Sequence, residues 1–250
     1  MNPTESWIAF AQPAPAARVR LFCFAHAGGG ASLYRGWQQA LGDDVHVCPV
    51  QLPGRESRID EAPIDRLDDL LAALDDALGP LTDLPFAVFG HSIGALIGFE
   101  FGRLSMARRG KAPIHLFVSA SQAPTERQVR AGGAALSDDA FLARVGGICA
   151  IPQPVLDDPE ARQLVLPALR ADFAINDAYT YPGGAPLPCP ISIFGAADDA
   201  LVDEAALKPW KSQTSARSFL RIFPGDHFYL KADPDGVQAM VSRVLQREIA

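Results

Sequence analysis

The sequence predicts an α/β fold: a mainly parallel central sheet flanked by helices, with a helical insertion in its second half. Three observations predict it. Short apolar runs of strand character alternate with segments of helical periodicity, a Gly-His-Ser-Ile-Gly turn joins one such run to a small-residue-rich helix, and the alternation lapses over residues 121–186 before it resumes. At 250 residues, 48% hydrophobic and 20% charged, the chain suits one such domain with a full core, so 1–250 is expected to be a single domain.

Taken in order, the Pro/Ala-rich residues 12–17 form an extended lead-in to a buried strand at 20–25 (RLFCFA). The loop that follows, His26-Ala27-Gly28-Gly29-Gly30, matches neither G-x-x-x-x-G-K-[ST] nor G-x-G-x-x-G, which argues against a nucleotide phosphate. A strand is expected at 45–52, ending in the turn Pro53-Gly54-Arg55; Arg55 is either a solvated loop charge or a structural clamp, and the clamp is the favoured reading. Leu67, Leu70, Leu71, Leu74 and Leu78 recur at helical spacing and Gly79-Pro80 stops that helix. Residues 85–104 (PFAVFGHSIGALIGFEFGRL) read as strand, sharp turn and helix, and 114–120 as the next strand.

Residues 121–186 contain no convincing strand and are too long for a bare loop, so a helical insertion is expected there, a lid over the carboxyl edge of the sheet. Ser137 should cap one helix bearing Phe141, Val145 and Ile148, and Asp158-Pro159 should open another bearing Val165, Leu169 and Phe173, kinked or split by Pro167. Strands at 190–195 and 218–223 complete the sheet. A closing helix carries Val237, Met240, Val241, Val244 and Leu245 behind Asp233-Pro234.

Several function classes are excluded early. The net charge of −7 disfavours nucleic acid. Cys23, Cys48, Cys149 and Cys189 stand singly, as packed reduced thiols rather than a disulfide frame or zinc site, and the five histidines show no ligand spacing, so neither metal nor cofactor is expected. The N-terminus lacks a basic start before an apolar core, and no apolar run approaches the roughly 18 residues a membrane span needs. A cytoplasmic protein without membrane attachment is expected.

Chemistry concentrates on Ser92. By itself Gly-x-Ser-x-Gly is compatible with a plain turn, but a strand before and a helix after make it a nucleophile elbow, in which glycines leave room where strand and helix nearly touch. The backbone N–H of Ile93 at the helix start and that of Ala27 in the glycine-rich loop are the expected oxyanion donors. Asp198 lies first past the strand at 190–195 and is the preferred acid, with Asp199 as competitor; His227 follows the last strand and is the expected base. Serine, aspartate and histidine then fall in the chain order of the α/β-hydrolases, each in a loop after a strand. His91 is expected to brace the elbow.

These residues resemble the type II thioesterases that accompany modular polyketide synthases and nonribosomal peptide synthetases. The likeness runs through FAHAGGGASLYRGW (24–37), QLPGR (51–55), GHSIGA (90–95), SDDAFL (137–142), LPALRADFAINDAYTY (166–181), GAADDALV (195–202) and GDHFYL (225–230). It departs at Ile93, where the family often has methionine, and at Ala25, where proline is usual. The resemblance implies Ser92, Asp198 and His227 as the triad and Ala27 and Ile93 as oxyanion donors. It also implies hydrolysis of stalled acyl groups from the phosphopantetheine arm of an acyl or peptidyl carrier protein. A carboxylesterase or acyl-CoA thioesterase, and a non-catalytic binding protein of the same fold, are the alternatives. Arg103, Arg108, Arg109 and Lys111 form a candidate carrier-docking patch, or simply a solvated helix end.

Overall fold

The computed structural model describes residues 6–130, 136–146, 148, 151 and 153–250. Among them the strands are β1 (Val19–Phe24), β2 (Val45–Pro49), β3 (Phe86–His91), β4 (His115–Ser119), β5 (Ile191–Ala196) and β6 (Ser218–Phe223). They form one sheet in the order β2-β1-β3-β4-β5-β6, every neighbouring pair parallel. A parallel sheet is covered on both faces, and the strands are apolar on both. Phe22, Phe24 and Val88 face one way; Leu21, Cys23, Ala87 and Phe89 face the other.

The helices are α1 (Trp37–Leu41), α2 (Leu67–Leu78), α3 (Ile93–Arg109), α4 (Asp138–Val145), α5 (Gln153–Asp157), α6 (Pro159–Ala178), α7 (Glu204–Leu207), α8 (Tyr229–Ala232) and α9 (Pro234–Glu248). α2 and α3 cover the first face, burying Leu70, Leu74, Leu78, Ile97 and Phe101. Trp37 of α1 and Val237, Val241 and Leu245 of α9 cover the second. All the strands point the same way, so the loops that follow them gather at one edge, where α/β proteins place their sites.

The strand expected at 45–52 stops at Pro49, which has no N–H for the ladder, and Val50 turns to an isolated bridge with Ile8. The insertion is helical, and no strand occurs among its described residues. Ser137 Oγ caps α4 by accepting the Ala140 N–H, and the Asp158 carboxylate caps α6 by accepting those of Glu160 and Ala161. α5, between them, carries no amphipathic signal long enough to be read from sequence.

Pro167 does not split the second helix, because α6 is continuous across it. Gln163, whose carbonyl loses its partner, is exposed, so water can satisfy it, while Leu166, Leu169 and Phe173 pack with Phe141 and Val145 on the buried side. Ala27 packs against this same cluster, so the insertion rests on the loop that follows β1.

Cys23, Cys48 and Cys189 are buried free thiols; Cys149 lies outside the described residues. No described helix is long and apolar enough to cross a membrane.

Candidate active site

β3 delivers the chain, buried throughout, to Ser92, whose φ of 58° and ψ of −121° put a non-glycine residue in strained backbone between strand and helix. Space explains the two glycines. A Cβ on Gly90 would stand 2.3 Å from the Gly94 carbonyl oxygen and 2.4 Å from Ala95 Cα, and one on Gly94 would stand 2.3 Å from the Phe24 carbonyl oxygen. These are backbone atoms that cannot step aside. The Ser92 N–H bonds the Ser119 carbonyl at 2.8 Å, tying the elbow to β4. Ile93 is the first residue of α3, so its N–H has no partner within the helix.

His227, in the loop after β6, brings Nε2 to 3.1 Å from Ser92 Oγ and Nδ1 to 2.8 Å from a carboxylate. That carboxylate belongs to Asp199, which corrects the assignment of the acid to Asp198. Pairing between the chains leaving β5 and β6 continues past the strands, with Ala197 N–H to Phe223 O and Asp198 N–H to Gly225 O, both 2.9 Å. The turn therefore starts one residue later than the spacing suggests. The Asp198 residue is exposed, whereas the Asp199 side chain is fully enclosed. Asp199 Oδ1 accepts the N–H groups of Leu201 and Val202 at 2.8 and 3.0 Å, which leaves Oδ2 for the imidazole. Burial pushes this carboxyl's pKa up, but the bond and charge of His227, with the two N–H groups, outweigh it and hold it below the usual carboxylate range. It stays ionised.

His91 is buried beneath His227, ring centroids 5.5 Å apart, and its Nδ1 lies 2.8 Å from Ser119 Oγ, which in turn contacts the Tyr229 hydroxyl. Burial first, then the nearby His26 and His227, hold its pKa well below that of a free imidazole, so it braces the elbow as a neutral ring.

The loop after β1 is held from the insertion. Arg55 forms a two-pronged pair with Asp172 of α6, Nη1–Oδ2 2.6 Å and Nη2–Oδ1 3.0 Å, with side chains only 7% and 2% exposed. Asp172 Oδ2 also accepts the Gly28 N–H at 2.8 Å. Arg55 is therefore a clamp. Sequence reasoning gave Asp172 no role, although a signal existed: a carboxylate on the same helix face as Leu169 and Ile175 must find a buried partner.

Ala27, Ile93, Ser92 and His227 line one small cavity of about 60 Å³, closed by Phe173, Asn176 and Ile148 of the insertion and by Phe228. Phe173 also lines a larger cleft of about 520 Å³ beside Phe141 and Pro167.

Arg103, Arg108, Arg109 and Lys111 do not form a free patch. Arg108 and Arg109 both bind Asp75, Lys111 Nζ bonds the Thr82 carbonyl at 2.7 Å, and Arg103 reaches the Gly183 carbonyl and Glu100. Arg108 and Arg109 also lie at the far end of a 17-residue helix, roughly 25 Å from Ser92. Of the two readings of these residues, the structure favours the helix end over the docking patch.

Residues 19–247 match the thioesterase domain family. The chain belongs to the thioesterase family. This thioesterase is 37% identical over 230 residues to the gramicidin S biosynthesis protein GrsT of Aneurinibacillus migulanus, covering 92% of this chain and 90% of that one. Among solved structures it is similar to RedJ, a thioesterase from the prodiginine pathway of Streptomyces coelicolor, with a TM-score of 0.83 at 37% identity, covering 94% and 95% of the two chains. It is similar also to BorB, the type II thioesterase from the borrelidin cluster, with a TM-score of 0.84 at 32% identity and coverage of 96% and 97%. The likeness to type II thioesterases read from the sequence stands, and with it the α/β-hydrolase fold.

Proposed function

We propose that this thioesterase is an editing enzyme that removes aberrant or stalled acyl groups from the phosphopantetheine arm of acyl or peptidyl carrier proteins in polyketide or nonribosomal peptide biosynthesis. The observation that carries the reading is the unbroken hydrogen-bonded chain Ser92–His227–Asp199 at the wall of a cavity lined by Ala27 and Ile93. The biosynthetic setting of its relatives supports the substrate class.

In this mechanism Ser92 Oγ attacks the thioester carbonyl carbon while His227 Nε2 takes its proton, and the N–H groups of Ala27 and Ile93 receive the charge on the carbonyl oxygen. The tetrahedral intermediate collapses, the C–S bond breaks, and His227 returns the proton to the departing sulfur. A water molecule, deprotonated by His227, then attacks the acyl-serine and releases the carboxylic acid and free Ser92. Asp199 keeps Nδ1 protonated, so that Nε2 is the basic nitrogen, and stabilises the imidazolium that forms twice per turnover. The insertion acts as a lid whose helices shape the acyl chamber in one 1–250 domain. The three buried thiols support a working place in the reducing cytoplasm.

The test is to offer one acyl group on a carrier protein, on coenzyme A and as an oxygen ester. An editing thioesterase prefers the carrier. Equal efficiency on the oxygen ester supports a carboxylesterase, preference for coenzyme A supports an acyl-CoA thioesterase, and no turnover supports a binding protein.

A further inference from the structure

On the other side of His26 from the Ser92 cavity lies a second opening of about 510 Å³, between the 26–30 loop and α8, with Arg35, Lys231 and Glu56 at its walls. Both features follow the carboxyl ends of strands, so the opening shares the catalytic edge of the sheet. His26 lines both spaces. Its ring packs edge-on against Phe228 at 5.3 Å, Phe228 packs on His227 at 5.2 Å, and Lys231 Nζ stands 5.3 Å from the Phe228 ring centre. A continuous wall thus runs from the catalytic imidazole to Lys231.

The direction of the chemistry gives this wall its meaning. His227 must hand its proton to the departing sulfur, so the thiol arm lies on the His227 side while the acyl group lies toward Phe173 and the insertion. An arm leaving past His227 and Phe228 meets the second opening next. Lys231 and Arg35 have no carboxylate within ion-pair distance among the described residues; Arg35 rests its guanidinium over the Phe10 ring at 4.1 Å. Glu56, the one carboxylate among the described residues that line the opening, is engaged by the Ser32 N–H at 3.2 Å and by the Ser32 hydroxyl. Three of the loop's backbone donors are already engaged. Gly28 N–H is spent on Asp172, Gly29 N–H on the His26 carbonyl and Ala31 N–H on Gln51. The full charges at this opening that can read an anion are the two cationic side chains.

Resting on the thioesterase reading above, we propose that Arg35 and Lys231 form a phosphate subsite for the phosphopantetheine arm. The arm is threaded past His26 and Phe228 to present its thioester to Ser92. The shared chemistry is a phosphate ester joined to pantetheine, whether the rest is a carrier serine or the nucleotide of coenzyme A. Arg35 and Lys231 touch no reacting atom, so the subsite acts on binding and not on the chemical step.

The test uses the full chain and one acyl group carried on N-acetylcysteamine, pantetheine, 4′-phosphopantetheine, coenzyme A and a carrier protein, with wild type, Arg35→Gln, Lys231→Gln and Glu56→Gln. Loss of one charge-assisted contact should raise KM for the three phosphate-bearing substrates about tenfold per cation, with kcat and both phosphate-free substrates unchanged. Glu56→Gln should lower KM for the same three, and added salt should erase these differences. If pantetheine and phosphopantetheine thioesters respond alike to the variants, the subsite is refuted. If only the carrier-bound substrate responds, the two cations dock the carrier surface and the phosphate assignment is equally refuted. Failure of the thioesterase reading looks different: wild type would then leave every thioester, the pantetheine one included, no better hydrolysed than an oxygen ester.

Discussion

Asp172→Asn should separate what the insertion contributes to stability from what it contributes to rate. The substitution leaves the Arg55 guanidinium, 7% exposed, without a counter-charge, and removing one partner of such a buried pair costs about 3–5 kcal/mol. It also weakens the acceptor of the Gly28 N–H, one residue from Ala27, the proposed oxyanion donor. Loss of one such donor lowers kcat by about 10²–10³, so loosening it should cost part of that factor. The double variant Arg55→Met/Asp172→Leu fills the space with apolar side chains and should regain most of the stability, since replacing a whole buried pair is often neutral. It does not regain an acceptor for Gly28, and kcat should stay low. Denaturant unfolding and kcat on a small thioester read the two effects separately. A double variant with native stability and native kcat would show that the 26–30 loop does not depend on α6, and a single variant losing under about 1 kcal/mol would show that the pair is not buried in solution.

Other substitutions probe the remaining parts. Gly90→Ala places a methyl 2.3 Å from a backbone oxygen and should give little folded protein, whereas Gly110→Ala, at φ +65° with open space around it, should cost about 1 kcal/mol by denaturant unfolding. Phe173→Ala should join the 60 Å³ cavity to the 520 Å³ cleft and shift kcat/KM toward longer acyl chains by about tenfold or more; an unchanged chain-length profile in a folded variant would remove Phe173 as the chamber wall. Stability should fall as pH drops from about 6.5. Burial lowers the pKa of His26 and of His115 to about 4, holds that of His91 well below the free imidazole's and lowers that of half-buried His46, so the unfolded chain takes up at least three protons that the folded one refuses, a slope of about 4 kcal/mol per pH unit until His26 and His115 titrate. Denaturation midpoints that stay level between pH 7.5 and 5 would contradict these buried neutral rings.

The elbow was legible because its chemistry is local: strand, two glycines and helix are contiguous, and the serine's strain follows from them. Periodicity likewise fixed α2 to its ends, since its leucines need only one apolar surface to pack on. Asp199 was not legible. Which of two adjacent aspartates turns inward depends on how far β5 and β6 stay paired, and that is decided between chain segments far apart in sequence. The same applies to Arg103, Arg108, Arg109 and Lys111, which count as free charges until Asp75, Thr82 and Gly183 are seen beside them. Arg55 and Asp172 are 117 residues apart, and no local rule joins them, although a charge on an apolar helix face shows that some partner exists.

The central claim is that Ser92, His227 and Asp199 work as one unit, and single-turnover acylation by Asp199→Asn and Asp198→Asn tests it most directly. The same thioester is mixed with excess enzyme and the acyl group on Ser92 is followed by mass. With Asp199→Asn the imidazole loses the carboxylate that fixes its tautomer, and acylation should slow by about 10⁴ while the fold is kept. Asp198→Asn, altering an exposed side chain with no contact to His227, should acylate Ser92 at the wild-type rate. Slower acylation by Asp198→Asn than by Asp199→Asn, or acyl transfer to a residue other than Ser92, would contradict the account.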